Sequence, residues 1–358
     1  MNWSPFIAAL LGFGLTLGLI RFLAPRAERY GLIDHPVAGR THHADKPPTV
    51  GGLAIVLGLA LTALLAQFAN EMHPAFWAGL AIIALTGTAD DIIELQPAIK
   101  FAAQIAAALL MIYWGGLILL TLGDLLSATP LVLGRFAVPL TVVAVIGVVN
   151  AINLSDGADG LAGGLVFIAV ICISLMSALS AHAGTLAFSL GLSGCIAAFL
   201  LFNLRTPWRS QAAIFLGDAG SLSLGFVLAW ITVDAVQPHS QLFAPVTAIW
   251  LVAIPICDTI VCMSRRLLQG VNPFRGDRTH LHHILIDLGM PAARSVALIH
   301  LIAFVLAGAG VAGWALRVPE HVMFYSAMAV FAAYIFLVQY GLRRVAASKA
   351  SAAGVHNI

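Results

Sequence analysis

The chain has 358 residues, 60% of them hydrophobic and 9% charged, with a net charge of +2. A soluble domain carries about 25% charged residues, so this composition, with a mean hydropathy of +0.97, excludes a water-soluble enzyme and defines an integral membrane protein. The small net charge says little about partners, and no nucleic-acid partner is expected. Cys172, Cys195, Cys257 and Cys262 lie in apolar stretches without CxxC spacing, so they read as small buried hydrophobes rather than a disulfide or zinc framework.

A bilayer-spanning helix needs about 20 apolar residues. In chain order the apolar runs predict spans near 5–24, 51–69, 74–89, 99–116, 136–150, 160–180, 184–203, 212–233, 243–264, 294–316 and 321–341. The first lacks a basic n-region and a cleavage site, so it reads as a retained helix rather than a signal peptide. The third and fifth are short, and 115–135 has room for a re-entrant turn. The expected fold is therefore an all-α polytopic bundle of about eleven transmembrane helices, with ten as the alternative count. The whole chain forms one membrane domain, and residues 342–358 make a short tail. With eleven crossings, every Lys and Arg except Arg135 and Arg317 falls on or beside one face. The positive-inside rule makes that face cytoplasmic, with the N-terminus periplasmic and the C-terminus cytoplasmic.

The carboxylates gather on the same face, where an acid beside hydrocarbon is by default a functional candidate. The loop 31–52 comes first, with Arg40 and Lys46 among its prolines, glycines and histidines. Asp90-Asp91 follow the third run. Adjacent helical residues point about 100° apart, so both need not enter one site, and solvated interfacial acids remain the plain alternative. Asn150, Asn153, Asp156 and Asp159 recur at every third position before Gly160, offering acceptors to a nucleotide or a hydrated cation. Asp218, between Gly217 and Gly220, suits Mg²⁺, which takes one or two carboxylates plus substrate phosphate oxygens; an ordinary helix cap is the alternative. The richest polar loop runs from Asn272 through Arg275, Asp277 and Arg278 to His280, His282 and His283. Imidazoles with a bidentate guanidinium suit phosphates better than zinc, since no HExxH pattern or nearby Cys accompanies them. A basic loop held by anionic lipid is the other reading.

Taken together, GLIDHP…RTHHADKPPTVGG, the DD pair, NAINLSDGADGLAGG, IFLGDAGSLSLG and NPFRGDRTHLHH, in this order, resemble the polyprenyl-phosphate N-acetylhexosamine-1-phosphate transferase family. The resemblance covers about Gly31 to His283. It implies a cytoplasm-facing membrane enzyme that transfers a sugar 1-phosphate from a UDP-sugar to undecaprenyl phosphate, releases UMP and requires Mg²⁺, with Mn²⁺ as a substitute. By that resemblance Asp218 matches the metal-binding Asp. Asp90 and Asp91 match the catalytic pair, and Asp156 is grouped with them. Asp159, Leu154 and Asn203 resemble the uridine-binding group, and Phe215 the residue that stacks on uracil. His280, His282 and His283 match the histidine loop near the donor sugar and phosphates. Arg40 or Lys46 would meet the lipid phosphate. The HLHH pattern after NPFRGDR looks like the N-acetylglucosamine-1-phosphate branch more than the muramyl-pentapeptide branch, although other UDP-aminosugars stay open.

On this reading the enzyme is a Mg-dependent phosphoglycosyl transferase that starts cell-envelope polysaccharide synthesis in the bacterial inner membrane. Its partners are undecaprenyl phosphate, a UDP-sugar and the bilayer, and a homodimer is allowed. Direct attack of the lipid phosphate is preferred over a covalent aspartyl intermediate, though sequence does not separate them. A cation-coupled transporter is the competing class; it would put acids near span centres and in both membrane halves.

Overall fold

Hydrocarbon offers no partner to a free backbone N–H or C=O, so a chain this apolar must satisfy its backbone within helices. The computed structural model describes residues 5–33, 47–68, 72–126, 129–272 and 279–355. The described residues contain thirteen α-helices and no strand, only three isolated bridges. In chain order they are α1 (Pro5–Leu23), α2 (Gly51–Leu65), α3 (Pro74–Ile93), α4 (Pro97–Tyr113), α5 (Ala137–Leu154), α6 (Leu161–Leu179) and α7 (Ala183–Asn203). There follow α8 (Gly217–Ala235), α9 (Pro245–Leu251), α10 (Ala253–Leu268), α11 (Leu281–Asp287), α12 (Ala292–Ala315) and α13 (Glu320–Val355).

The chain is a membrane protein: among the described residues seven helices are long and apolar enough to cross a bilayer, and eight if α9 and α10 form one broken span. A helix or helix pair stands at each of the eleven expected positions. Three of them fall outside that criterion. α2 and α4 have 15 and 17 residues, short of the roughly 20 needed, and α8 carries Asp218 and Asp234 near its two ends. The expected span 243–264 is bent by 79° between α9 and α10. Pro255, third in α10, has no N–H for the carbonyl four residues back and crowds it, which breaks the helix there. The last helix runs through the expected tail as far as Val355.

Helix α8 is the axis of the core, with 16 of its 19 residues buried, and α2, α3, α5 and α6 pack around it. Lipid-embedded helices gain little from hydrophobicity against one another, so close backbone approach has to hold them. Small residues provide it. Gly52 touches the Gly220 backbone, a Cβ on Gly87 would stand 2.6 Å from Ala219 Cα, and one on Gly225 2.6 Å from Val149 Cα. Away from the site, Phe76 of α3 packs edge-on against Trp230 and Phe188 and parallel to Phe226. Large exposed side chains such as Phe6, Leu10, Leu85 and Phe336 form the lipid-facing exterior.

Candidate active site

Four chain segments converge at one end of α8: the last turn of α3, the first turns of α4, the end of α5 with the loop that follows it, and the start of α8 itself. Asp90 and Asp91 end α3, but their side chains part. Asp91 turns to the N-terminus of α8, where its two oxygens accept hydrogen bonds from Asp218 N at 2.7 Å and Ala219 N at 3.1 Å. It thereby satisfies two of the donors that every helix start leaves open, a cap supplied by another helix. Gly217 makes this possible: its φ of +70° lies in the left-handed region, and a Cβ there would sit 2.6 Å from Asp91 Oδ2. Asp90 faces the other way. It accepts from Leu95 N at 2.7 Å and from Lys100 Nζ at 2.7 Å.

Lys100 is the residue that the sequence reading leaves among the face-marking charges. Its ammonium bridges Asp90 Oδ2 and, at 3.0 Å, Asp218 Oδ2. Asp218 is held on its other side by Asn153 Nδ2 at 2.9 Å, which also donates to Ser221 Oγ at 2.9 Å. A signal for Lys100 does exist in the sequence. A lysine in the first turns of an apolar helix opposes the helix dipole, so it calls for a partner nearby.

The stripe Asn150–Asp159 divides in role. Asn150 Nδ2 donates to Gln104 Oε1 at 2.6 Å and to Ile146 O at 2.8 Å, tying α5 to α4. Leu154, half-buried, ends α5. Asp159 Oδ2 accepts from Arg205 Nε at 2.7 Å and Ala212 N at 3.1 Å. Asn203, 4% exposed, accepts from Gly160 N at 2.7 Å and donates to Ile214 O at 2.8 Å, which fixes the strap leading to half-buried Phe215. That strap is also pinned by Gly51 N donating to Phe215 O at 3.0 Å. Asp156 stands in the loop between α5 and α6. Burial first, and then the charges of Asp218, Asp91 and Asp159, push its pKa well above the ordinary carboxylate range.

His282 reaches the same loop, with His280 and His283 beside it. Their rings follow one another, with centroids 6.0 Å apart between the first two and 4.1 Å between the last two. The His282 ring lies against Gly157, where a Cβ would meet Nε2 at 2.6 Å. His280 points away from the carboxylates, with Nδ1 2.7 Å from Asp258 Oδ2. Burial disfavours a charged imidazole there, but the Asp258 carboxylate outweighs it, so the His280 pKa is raised from the usual histidine range. Arg40, Lys46 and Arg278 lie outside the described residues.

The carboxylates of Asp218, Asp156 and Asp90 are hard oxygen donors of the kind that a hard cation takes. Among the described residues a ready-made trio of ligand atoms within 4.8 Å occurs only at Asp258, Cys262 and His280.

A membrane-embedded helical protein with a lysine-bridged carboxylate cluster at its helix ends is the class that the fold and site define. The chain belongs to glycosyl transferase family 4, whose sequence model matches residues 73–236. Several relatives carry the name undecaprenyl-phosphate alpha-N-acetylglucosaminyl 1-phosphate transferase. The protein of that name from Escherichia coli (strain K12) is 32% identical over 96% of this chain and 93% of its own length. Those from Pasteurella multocida (strain Pm70) and Haemophilus influenzae are 34% and 33% identical, each over 93% of this chain and 92% and 93% of their own lengths.

Proposed function

We propose that the protein transfers N-acetylglucosamine 1-phosphate from UDP-N-acetylglucosamine to undecaprenyl phosphate, with release of UMP, at the cytoplasmic face of a bacterial inner membrane. The names of its relatives support both the acceptor and the sugar. The observation that carries the reaction class is Lys100 held between Asp90 and Asp218. Two phosphate-bearing anions repel one another, and a fixed ammonium where they meet lowers that barrier. On this reading the enzyme has eleven crossings, a periplasmic N-terminus and a cytoplasmic C-terminus, and the asymmetry of Lys and Arg supports that orientation.

Asp218, with Asn153 and Asp156 beside it, would hold Mg²⁺ or Mn²⁺, which would supply charge neutralisation for the donor pyrophosphate and the departing UMP. Lys100 exchanges its contact with Asp90 for an acceptor-phosphate oxygen and steadies the charge that develops. Asp90, released from Lys100, orients the attacking oxygen and takes a proton from it where one is present. Asp91 keeps α8 in place from behind and needs no contact with substrate. Asp159 and Phe215 form the nucleoside end, with Asn203 holding the strap behind Phe215 and Phe215 stacking on uracil, and His282 and His283 line the sugar-phosphate end. Since a phosphate is already ionised, attack by the lipid phosphate itself requires no covalent aspartyl intermediate.

The test is UMP release from purified protein, undecaprenyl phosphate and a panel of UDP-sugars, with and without EDTA. EDTA-sensitive release with UDP-N-acetylglucosamine alone supports both class and donor. Release only with another UDP-sugar overturns the donor and keeps the class, and no release from folded protein refutes the transferase reading.

A further inference from the structure

We propose that Asp258, together with Tyr334, is the positioning pair of the histidine turn: it fixes His280, and through His280 it sets His282 and His283 against the loop that carries Asp156 and Asp159. The inference rests on the transferase reading above. It assigns work to two residues that lie inside apolar helices and belong to no motif.

Helix α11 has seven residues, too few to be stable without tertiary support. Its first turn carries the histidines, so their positions are only as good as the anchor at its start. That anchor is the Asp258 carboxylate of α10. Oδ2 meets His280 Nδ1 at 2.7 Å, and Oδ1 accepts from Leu281 N at 3.0 Å and from the Tyr334 hydroxyl at 2.6 Å. The group is 7% exposed. Burying a carboxylate is unfavourable unless it is fully partnered, and an apolar residue of similar size often serves stability as well or better. What the carboxylate adds is a fixed geometry, since three donors from two chain segments, the start of α11 and α13, converge on it. Tyr334 comes from α13, and Gly341 about two turns further along that helix packs on Ile284 of α11, so the turn is clamped between α10 and α13. On the far side of the ring, Arg266 Nη2 lies 3.3 Å from His280 Nε2.

From His280 the contact continues inward. His280 and His282 are nearly parallel, at 18°, and His282 abuts Gly157. A displacement of His280 is therefore passed to the loop between α5 and α6. The Asp258–Cys262–His280 trio has the spacing of a metal site. The donors already on both oxygens of Asp258, and the guanidinium beside His280, fit a hydrogen-bonded anchor instead of a cation.

Two measurements on the full-length protein test this. Hydrogen–deuterium exchange needs no substrate. In Asp258→Asn and in Tyr334→Phe, amides of 279–288 and of 155–160 should exchange faster together, while those of 90–95 stay as in the wild type. Steady-state kinetics then separate positioning from plain stability. Asp258→Asn should raise the KM for the sugar nucleotide about tenfold and lower kcat less than about threefold, and Tyr334→Phe should raise KM about threefold, as small displacements of binding groups do. The double variant Asp258→Asn/His282→Gln should be no worse than the poorer single variant, because the two act in series. Unchanged exchange in 155–160, an unchanged donor KM or additive losses would overturn the inference. If Asp258→Asn does not fold, the same readouts on Tyr334→Phe decide. A wild-type protein without UMP release would refute the transferase reading, and the exchange experiment would still judge the anchor.

Discussion

The lysine-bridged carboxylates lie at the start of α8 and the histidine turn lies against Gly157 of the α5–α6 loop, and the two are supported in opposite ways. The carboxylates sit at the ends of long helices packed on α8, whose residues are almost all buried, and each has a partner on a neighbouring helix. The histidines sit on a seven-residue helix at the edge of the bundle, held by one carboxylate of α10 and one hydroxyl of α13. The family's sequence model ends at residue 236, which takes in the first region and stops short of the second. One half of the site is thus made rigid by the core itself, and the other is rigid only as far as its anchor holds.

Variants of the first half should act on turnover, and variants of the second on donor binding. The largest effect is expected for Asp218→Asn, a loss of roughly a thousandfold in kcat, equivalent to about 4 kcal/mol, read as UMP release. Lys100→Met should follow with a loss of about a hundredfold, and Asp90→Asn should lower the rate with less change in UDP-sugar affinity. Equal activity of Lys100→Met and wild type would remove the lysine from the mechanism. Gly157→Ala places a methyl 2.6 Å from the His282 ring and should raise the donor KM about tenfold. Gly147→Ala, where a Cβ meets nothing within 4 Å, should leave KM unchanged. A KM that ignores Gly157→Ala would mean that the two halves are independent.

The smallest effect concerns stability. The pKa of Asp156 is raised by burial and by its acidic neighbours, so ionising it opposes folding. The stability available with this group neutral is complete below its ordinary pKa, about 3.9, and is lost as pH rises toward the elevated value. In EDTA, Asp156→Asn should therefore raise the melting temperature by about 2–4 °C at pH 8 and by nothing at pH 3. A lowered melting temperature at pH 8 would contradict the placement of Asp156 among carboxylates.

The helices were legible because hydrocarbon leaves an apolar chain no alternative, and the motifs were legible because polar runs are conspicuous between apolar ones. Single polar residues inside apolar helices were not. Lys100 read as one more positive charge on a face, since nothing local shows that it spans two carboxylates brought together from different helices. Asp258 and Tyr334 gave no pattern at all, because their partners are 23 and 76 residues distant in sequence from Asp258. The separate roles of Asp90 and Asp91 follow from the turn of the helix, but which of them caps α8 depends on Gly217 and on packing. The break after Leu251 had its signal in Pro255, hidden within a run apolar enough to pass for a continuous span. Asn150 and Asn203, read as substrate groups, have their hydrogen bonds within the protein, where they join segments that the site needs together.

Helix α13 has 36 residues, about 54 Å at 1.5 Å per residue, against a hydrocarbon layer of about 30 Å. Several of its turns therefore stand clear of the bilayer as a stiff mast, with Arg343 and Arg344 at headgroup height or beyond. Anything joined to that end would be carried at a set distance and bearing from the membrane. A push on the mast would reach Tyr334 as a lever reaches its fulcrum.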